Sequence, residues 1–400
     1  MRSRLTALKL TAVIVMLLSA LEAQTVSYRV RVVTSPFNPP GFVSGYKINK
    51  IGWMPMTDHL SGRPDQALLW RWGRTEPLAL LGGGCSAANG INDYGHIVGA
   101  ACLPGETLPH AYLYKDKKAI DLGNFGGVGA AAGGVNLADQ VTGWYQLSDG
   151  TLHGFLWQRK HWVDVGNLGG SFVYPSSINN SGVIAGQSDI SNNPDPVYGI
   201  PPFHGFQMAG GVLTDFGQIF GSNFNYANTI NDAGMIIGAA DLSGDTGAHA
   251  IIWNQGAIQD LTPYGNLTAW GIEINNQGQA VGSWGYVDPD PADGPPVNTM
   301  ECPCYAVLWQ NGGVLFLNDA VPAGWNLLLG LAIDDKGAIL ARGQYNGGHL
   351  QTVLLQPIAP ALHGSTSPAT SITPERALRY PASAPRAIRR QMSGGWRELP

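Results

Sequence analysis

A five-residue frame, Ile-Asn-x-x-Gly, returns seven times along this chain and restricts the fold more than any other feature. Clear copies are INKIG (48–52), INDYG (91–95), INNSG (178–182), INDAG (230–234) and INNQG (274–278). VNLAD (135–139) and IDDKG (333–337) are degenerate copies, and successive starts lie 43, 44, 43, 52, 44 and 59 residues apart. A period near 43 belongs to blade-like or solenoid repeats. It also implies that much of what resembles a motif here is scaffold.

The fourth repeat shows the unit. Residues 174–179 run into the turn, and VIAGQ (183–187) leaves it. HGFQM (204–208), a short Ala-Gly-Gly turn and VLTDFG (212–217) follow. Each run is short, rich in β-branched or aromatic side chains and bounded by Gly or Asn, as strands are. Four short strands in roughly 43 residues make one meander sheet, as in a propeller blade. The Asn can bond its own backbone two residues on, as can Asp334 in the last copy. The Gly supplies a left-handed residue, for which Asp139 is a tolerable substitute in the third copy. The last repeat is one strand short, and SYRVRVV (27–33) is a free strand at the other end. Pairing it with 350–356 closes a ring and removes exposed edges. The expected fold is therefore all-β: a seven-bladed β-propeller of four-stranded antiparallel blades, the last completed by the N-terminal strand.

Composition agrees. Charged residues are 13% of the chain, with 54 Gly, 27 Pro, 12 Trp and 14 Tyr. The net charge of −5 and the lack of a basic stripe give no reason to expect nucleic acid. Residues 1–23 have the parts of a signal peptide: Arg2, Arg4 and Lys9, then an apolar run over 10–21, then Ala20 and Ala23 as small residues for cleavage. An uncleaved anchor is the alternative. The expected locale is extracellular or periplasmic, and the expected state monomeric. The propeller is assigned to 24–357, and 358–400, with Ser, Pro and six arginines between Arg376 and Arg397, reads as a disordered tail.

Four cysteines suit an oxidising compartment. Cys85 and Cys102 flank INDYG almost symmetrically, so a cross-strand disulfide is expected; Cys302 and Cys304 form a Cys-Pro-Cys triplet that either bridges internally or stays reduced. His110, His153, His204 and His249 open the third strand of their repeats, each followed 11 residues later by Asp121, Asp164, Asp215 or Asp260. Recurrence in four blades favours a register-fixing His–Asp pair over chemistry, since a ligand site normally uses unlike positions.

The runs HAYLY, HGFLW, HGFQM and HAIIW, followed by IDLGNFGG or VDVGNLGG and then the turn, resemble the HAF repeat of bacterial extracellular proteins over about residues 45–356. Gln66 and Tyr305 stand where His is expected, and Pro55 interrupts a strand of the first repeat. The resemblance implies export and a β-propeller-like fold, and adds little about activity.

In a closed ring the Ile-Asn-x-x-Gly turns share one face with the third-to-fourth turns and look structural. Length varies in the opposite loops, 187–203 and 284–305. Variable loops on a rigid scaffold are where binding surfaces are built. The candidate ligand residues are Trp144, Tyr145, Tyr174, Tyr226, Trp284 and Tyr286, with Trp144 and Trp284 foremost; core packing is the competing role for each. Asp288, Asp290 and Asp293 form an oxygen-rich loop of the kind that can hold Ca²⁺, but EF-hand spacing and its closing Glu are absent. No other cofactor is indicated. No nucleophile elbow, HExxH or phosphate loop occurs. The function expected is thus a secreted non-catalytic binding module for a carbohydrate or extracellular protein. A polysaccharide hydrolase or lyase using carboxylates over the channel is one rival, and a purely structural surface protein the other.

Overall fold

The computed structural model describes residues 26–37, 42–59, 62, 64–196, 198–243, 247–262, 268–285 and 304–358. The signal-peptide and tail segments, Tyr286, Asp288, Asp290, Asp293 and Cys302 lie outside them.

Seven four-stranded antiparallel sheets follow one another as blades. Blade two shows the pattern, with strands Ser86–Ile91, Ile97–Ala101, His110–Lys115 and Lys118–Gly123. Blade seven takes Trp325–Ile333, Ile339–Tyr345 and Gln351–Pro357 from the end of the array, and its outermost strand is Tyr28–Val32. That strand pairs antiparallel with Gln351–Pro357, from Tyr28 against Pro357 to Val32 against Val353. The expected seven-bladed ring closed by the N-terminal strand is the fold.

Side chains alternate between the two faces of a strand, and here both faces are covered because each blade packs on two neighbours. Hence the inner strands are mostly buried on both sides, whereas an outermost strand such as His161–Asp164 is exposed. One core cluster joins Ile237, Ala250 and Ile252 of blade five to Trp284, Val307, Trp309 and Phe316 of blade six. Another joins Leu308 of blade six to Ile339, Val353 and Tyr28 of blade seven. A third crosses the seam, from Leu331 and Leu354 to Met56, Leu68 and Trp70 of blade one.

The first strand of each blade lines the axis. In blades two to seven it carries a bulge before the turn, at Asn89, Gly133, Ser176, Asn228, Ile272 and Leu331. A bulge re-aims the strand and frees one polar group. Asn89 Nδ2 donates to Ala132 O at 3.0 Å and Ser176 Oγ to Ala227 O at 2.9 Å, each in the next blade. Opposite the bulge the second strand needs glycine: a Cβ on Gly238 would lie 1.9 Å from Tyr226 O.

Turn chemistry is as the sequence implies. Asn92 Oδ1 accepts from Tyr94 N and His96 N, both at 3.0 Å. Gly95 sits at φ 81° and Asp139, its substitute in blade three, at φ 55°. Asp139 also bonds His96 Nδ1 at 2.6 Å and Lys115 Nζ at 2.8 Å. Burial pushes its carboxyl up, but those two bonds outweigh it and hold the group below the usual carboxylate range.

Cys85 and Cys102 form a disulfide one step beyond the Ser86–Ala101 pair. Cys304 is disulfide-bonded as well. No helix among the described residues is long and apolar enough to cross a membrane.

Candidate functional site

The Ile-Asn-x-x-Gly turns converge at one end of the axis and bound a cavity of about 160 Å³. Its wall is built from two hydrogen-bonded rings. In the inner ring each turn Asn spends Oδ1 on its own backbone and directs Nδ2 to the main-chain oxygen of its counterpart in the next blade. The bonds run Asn49 to Asn92 (2.9 Å), Asn92 to Asn136 (2.9 Å), Asn136 to Asn179 (3.0 Å), Asn179 to Asn231 (3.1 Å), Asn231 to Asn275 (3.0 Å) and Asn275 to Asp334 (2.9 Å). Asp334 has no Nδ2 amide with which to continue to Asn49, so the relay ends at the seam between blades seven and one. Burial raises the Asp334 carboxyl above its usual 3.8, although the N–H groups of Ala338 and Lys336 oppose this.

The outer ring uses the next residue. The N–H groups of Lys50, Leu137, Asn180, Asp232 and Asn276 donate to side-chain oxygens of Asp93, Asn180, Asp232, Asn276 and Asp335 at 2.8–2.9 Å. Deeper in the cavity Lys47 Nζ lies 2.5 Å from Glu273 and 3.2 Å from Thr229 Oγ1. Burial raises the Glu273 carboxyl, with Lys47 and Thr229 pulling the other way. The face expected to be purely structural thus carries a rigid polar mouth.

The histidines are scaffold. Nδ1 of His110, His153, His204 and His249 lies 2.8–3.0 Å from Asp121, Asp164, Asp215 and Asp260. The aspartates are diagonal to the histidines, paired with the residue two further on, as Asp164 is with Phe155. Each also caps a turn: Gly123, Gly166, Gly217 and Thr262 donate their N–H to the same carboxylates at 2.7–2.8 Å.

The aromatic expectations need correction. Trp284 has no exposed surface; it packs edge-on to Phe316 inside the cluster between blades five and six. Tyr226 is buried and stacked on Trp270, with centroids 5.5 Å apart. Tyr145 is buried against Phe125 and gives its hydroxyl to Asp164 Oδ2 at 2.7 Å. These rings sit at strand ends where the neighbouring blade still covers them. They are core, so they offer a ligand no platform. Trp144 and Tyr174 are half-buried.

Two constellations escaped sequence reading. Ser44 Oγ and His59 Nε2 are 2.8 Å apart, and His59 Nδ1 and Asp65 Oδ2 are 2.8 Å apart, a Ser–His–Asp relay in blade one. Ser44 is only 2% exposed, so its hydroxyl cannot be reached by a substrate carbonyl, and the relay ties strand ends together. The second lies on the turn face. Trp72 is 75% exposed and Tyr94 66% exposed. The Trp53 ring meets Trp72 edge-on at 5.3 Å, and the Arg71 guanidinium lies over both, 5.4 and 5.2 Å from their centroids. The available signal was Trp72-Gly73 in a hairpin position where other blades read Asp-Lys, Arg-Lys, Gly-Gly, Gln-Gly or Asn-Gly.

Fold and site together define a closed β-propeller with a polar axial mouth and an aromatic turn face. The sequence matches no family model and no curated protein. Among solved structures the chain is similar to the β-propeller domain of the Trilobed protease from Pyrococcus furiosus, described as having an open velcro topology. The identity is 8%, the match covers 80% of this chain and 95% of that one, and the TM-score is 0.53. An acylaminoacyl peptidase of Pyrococcus horikoshii (10% identity, 81% and 53% covered, TM-score 0.48) and TolB of Acinetobacter baumannii (11%, 79% and 64%, 0.41) also match. The chain spans about half the length of that peptidase. At these identities the likeness concerns the fold.

Proposed function

We propose that the protein is an exported, non-catalytic β-propeller of the HAF-repeat kind that binds a carbohydrate or protein partner. The observation that carries this reading is the turn face, where a pre-organised ring of amides and carboxylates lies on the same side as solvent-exposed Trp72 and Tyr94. The polar groups of the mouth are already committed to one another. Such a wall presents a fixed shape, with only the remaining lone pairs of its oxygens to offer, and does not reorganise, which keeps the entropic cost of binding low. Tyr145, Tyr226 and Trp284, three of the six aromatics expected on the opposite face, are core, which favours the turn face as the binding surface.

The hydrolase reading would need a carboxylate left for proton transfer. Glu273 is engaged by Lys47 and Thr229, and Asp93, Asp232 and Asp335 accept ring N–H groups. The test is to pass the purified full chain over immobilised polysaccharides and extracellular protein extracts, with product analysis alongside. Retention without turnover is the expected result. New reducing ends or unsaturated products from any polysaccharide would decide for the enzyme instead.

A further inference from the structure

The hairpin between the third and fourth strands has one geometry in blades one to six. Its two loop residues both take positive φ: 48° and 84° at Trp72-Gly73, 51° and 60° at Asp116-Lys117, 50° and 89° at Gln255-Gly256, 51° and 74° at Asn311-Gly312. This is the mirror-image turn that suits twisted strands, and its first position favours Asn, Asp or Gly. Long side chains are uncommon there, yet Arg159 in blade three (φ 49°) and Gln255 in blade five (φ 50°) also take it. Blade one places an indole at that position and leaves most of it in water. The backbone is shared with the other hairpins; the exposed aromatic ring is not, and that difference points towards function.

Its surroundings are cationic in an acidic protein. Arg31, on the N-terminal strand of blade seven, donates from Nη2 to Gly73 O at 3.1 Å and lies 5.5 Å from the Trp70 ring. Arg29 and Arg74 are exposed on the same two strands that meet here, and Arg71 lies against both Trp53 and Trp72. Glu76 is the carboxylate paired within the group, on Arg71 at 2.7 Å.

We propose that this seam-spanning patch is a subsite for an anionic polysaccharide of the polyuronate class, with a pyranose ring stacked on Trp72 and its carboxylates held by Arg31 and Arg74. The inference rests on the binding-module reading and names its ligand class. An indole presents a flat apolar surface matched to the C–H face of a sugar ring. Guanidinium forks match carboxylates in geometry and charge. Protein hot spots prefer desolvated, well-packed pockets around their aromatic anchor. Trp72 stands on a protruding turn among arginines, which suits a hydrated, charged chain better than an apolar peptide side chain.

The test uses the full chain and polygalacturonate, with dextran as the neutral polymer and poly-glutamate as the charge control, measured by affinity electrophoresis and repeated over a salt series. Wild type is expected to be retarded by polygalacturonate, with retardation falling as salt rises. Trp72→Asn restores a residue that the turn favours, so its Tm should be no lower than wild type's while affinity drops about tenfold or more. Trp72→Phe should keep most binding, and Arg31→Gln with Arg74→Gln should flatten the salt dependence. Unchanged binding in Trp72→Asn, or poly-glutamate bound as tightly as polygalacturonate, overturns the proposal and leaves the binding-module reading standing. No retardation of wild type by polygalacturonate overturns it too, and that wider reading then stands or falls on retention of other partners.

Discussion

Each turn asparagine does two jobs, and its sequence neighbours reveal only one. The turn role of Asn179 is visible in INNSG, because Oδ1 serves backbone groups two and four residues on. Its bond to Asn231 O crosses 52 residues, and no local pattern announces it. The same residues show why Asp334 stands apart. A carboxyl group there lacks the Nδ2 that would carry the relay on to Asn49. Asp334→Asn should therefore stabilise the fold by about 1 kcal/mol at neutral pH. Asn92→Asp, which breaks the relay inside the ring, should destabilise it by about 1–3 kcal/mol. The pH dependence has a definite sign. Burial raises the folded-state Asp334 carboxyl above its ordinary 3.8, so its contribution to stability is intact below that value and lost as pH climbs through the folded-state one. The gain from Asp334→Asn should accordingly be small in acid and grow towards neutrality, in urea unfolding measured at several pH values. A gain that is flat with pH would mean that the carboxyl is not the source.

At the scale of the strand and hairpin, spacing was informative and exposure was not. Four strands per repeat, the left-handed residue that ends each turn, and the recurring His–Asp pairs all follow from residues within a single repeat. The burial of Trp284, Tyr226 and Tyr145 does not, because a neighbouring blade covers them and that blade is 40 to 60 residues away in the chain. Trp72 was missed for the opposite reason: it interrupts a series of polar turn residues, and only comparison of equivalent hairpins shows the interruption. The Cys85–Cys102 bridge belongs to the same scale. It ties the outer ends of one hairpin across 17 residues. Chain-entropy arguments assign such a loop about 3 kcal/mol, with native-state strain able to reduce it. Cys85→Ser with Cys102→Ser should lower the unfolding free energy by about that amount without changing the ring. A loss below about 0.5 kcal/mol would show that the hairpin is already ordered in the unfolded chain.

The whole molecule depends on one strand that is first among the described strands and last in the ring. Tyr28 is 2% exposed and packs with Leu317, Ile339 and Val353. Tyr28→Ala should cost about 3–5 kcal/mol, comparable to other large-to-small aromatic changes in cores. A chain lacking residues 26–33 should also expose the edge of Gln351–Pro357 and self-associate, which light scattering would detect. A variant that stays monomeric and equally stable would deny the strand its closing role. This architecture was legible from the repeat count and the missing seventh partner, since both ends of the array were in view. The axial mouth was not, because it exists only once seven distant turns meet.

The closing strand has a mechanical consequence. Ser27 O accepts from Ile358 N at 2.9 Å, and the Tyr28–Pro357 pair is the outermost rung of that ladder. Tension applied through the two ends of the propeller therefore enters at one end of an antiparallel pair and loads its hydrogen bonds one at a time. That is an unzipping geometry, which yields at low force, whereas a shearing geometry would share the pull among all the rungs. A propeller tethered at both ends would open at its seam under modest load, and the patch around Trp72, which straddles the seam through Arg31, would come apart with it.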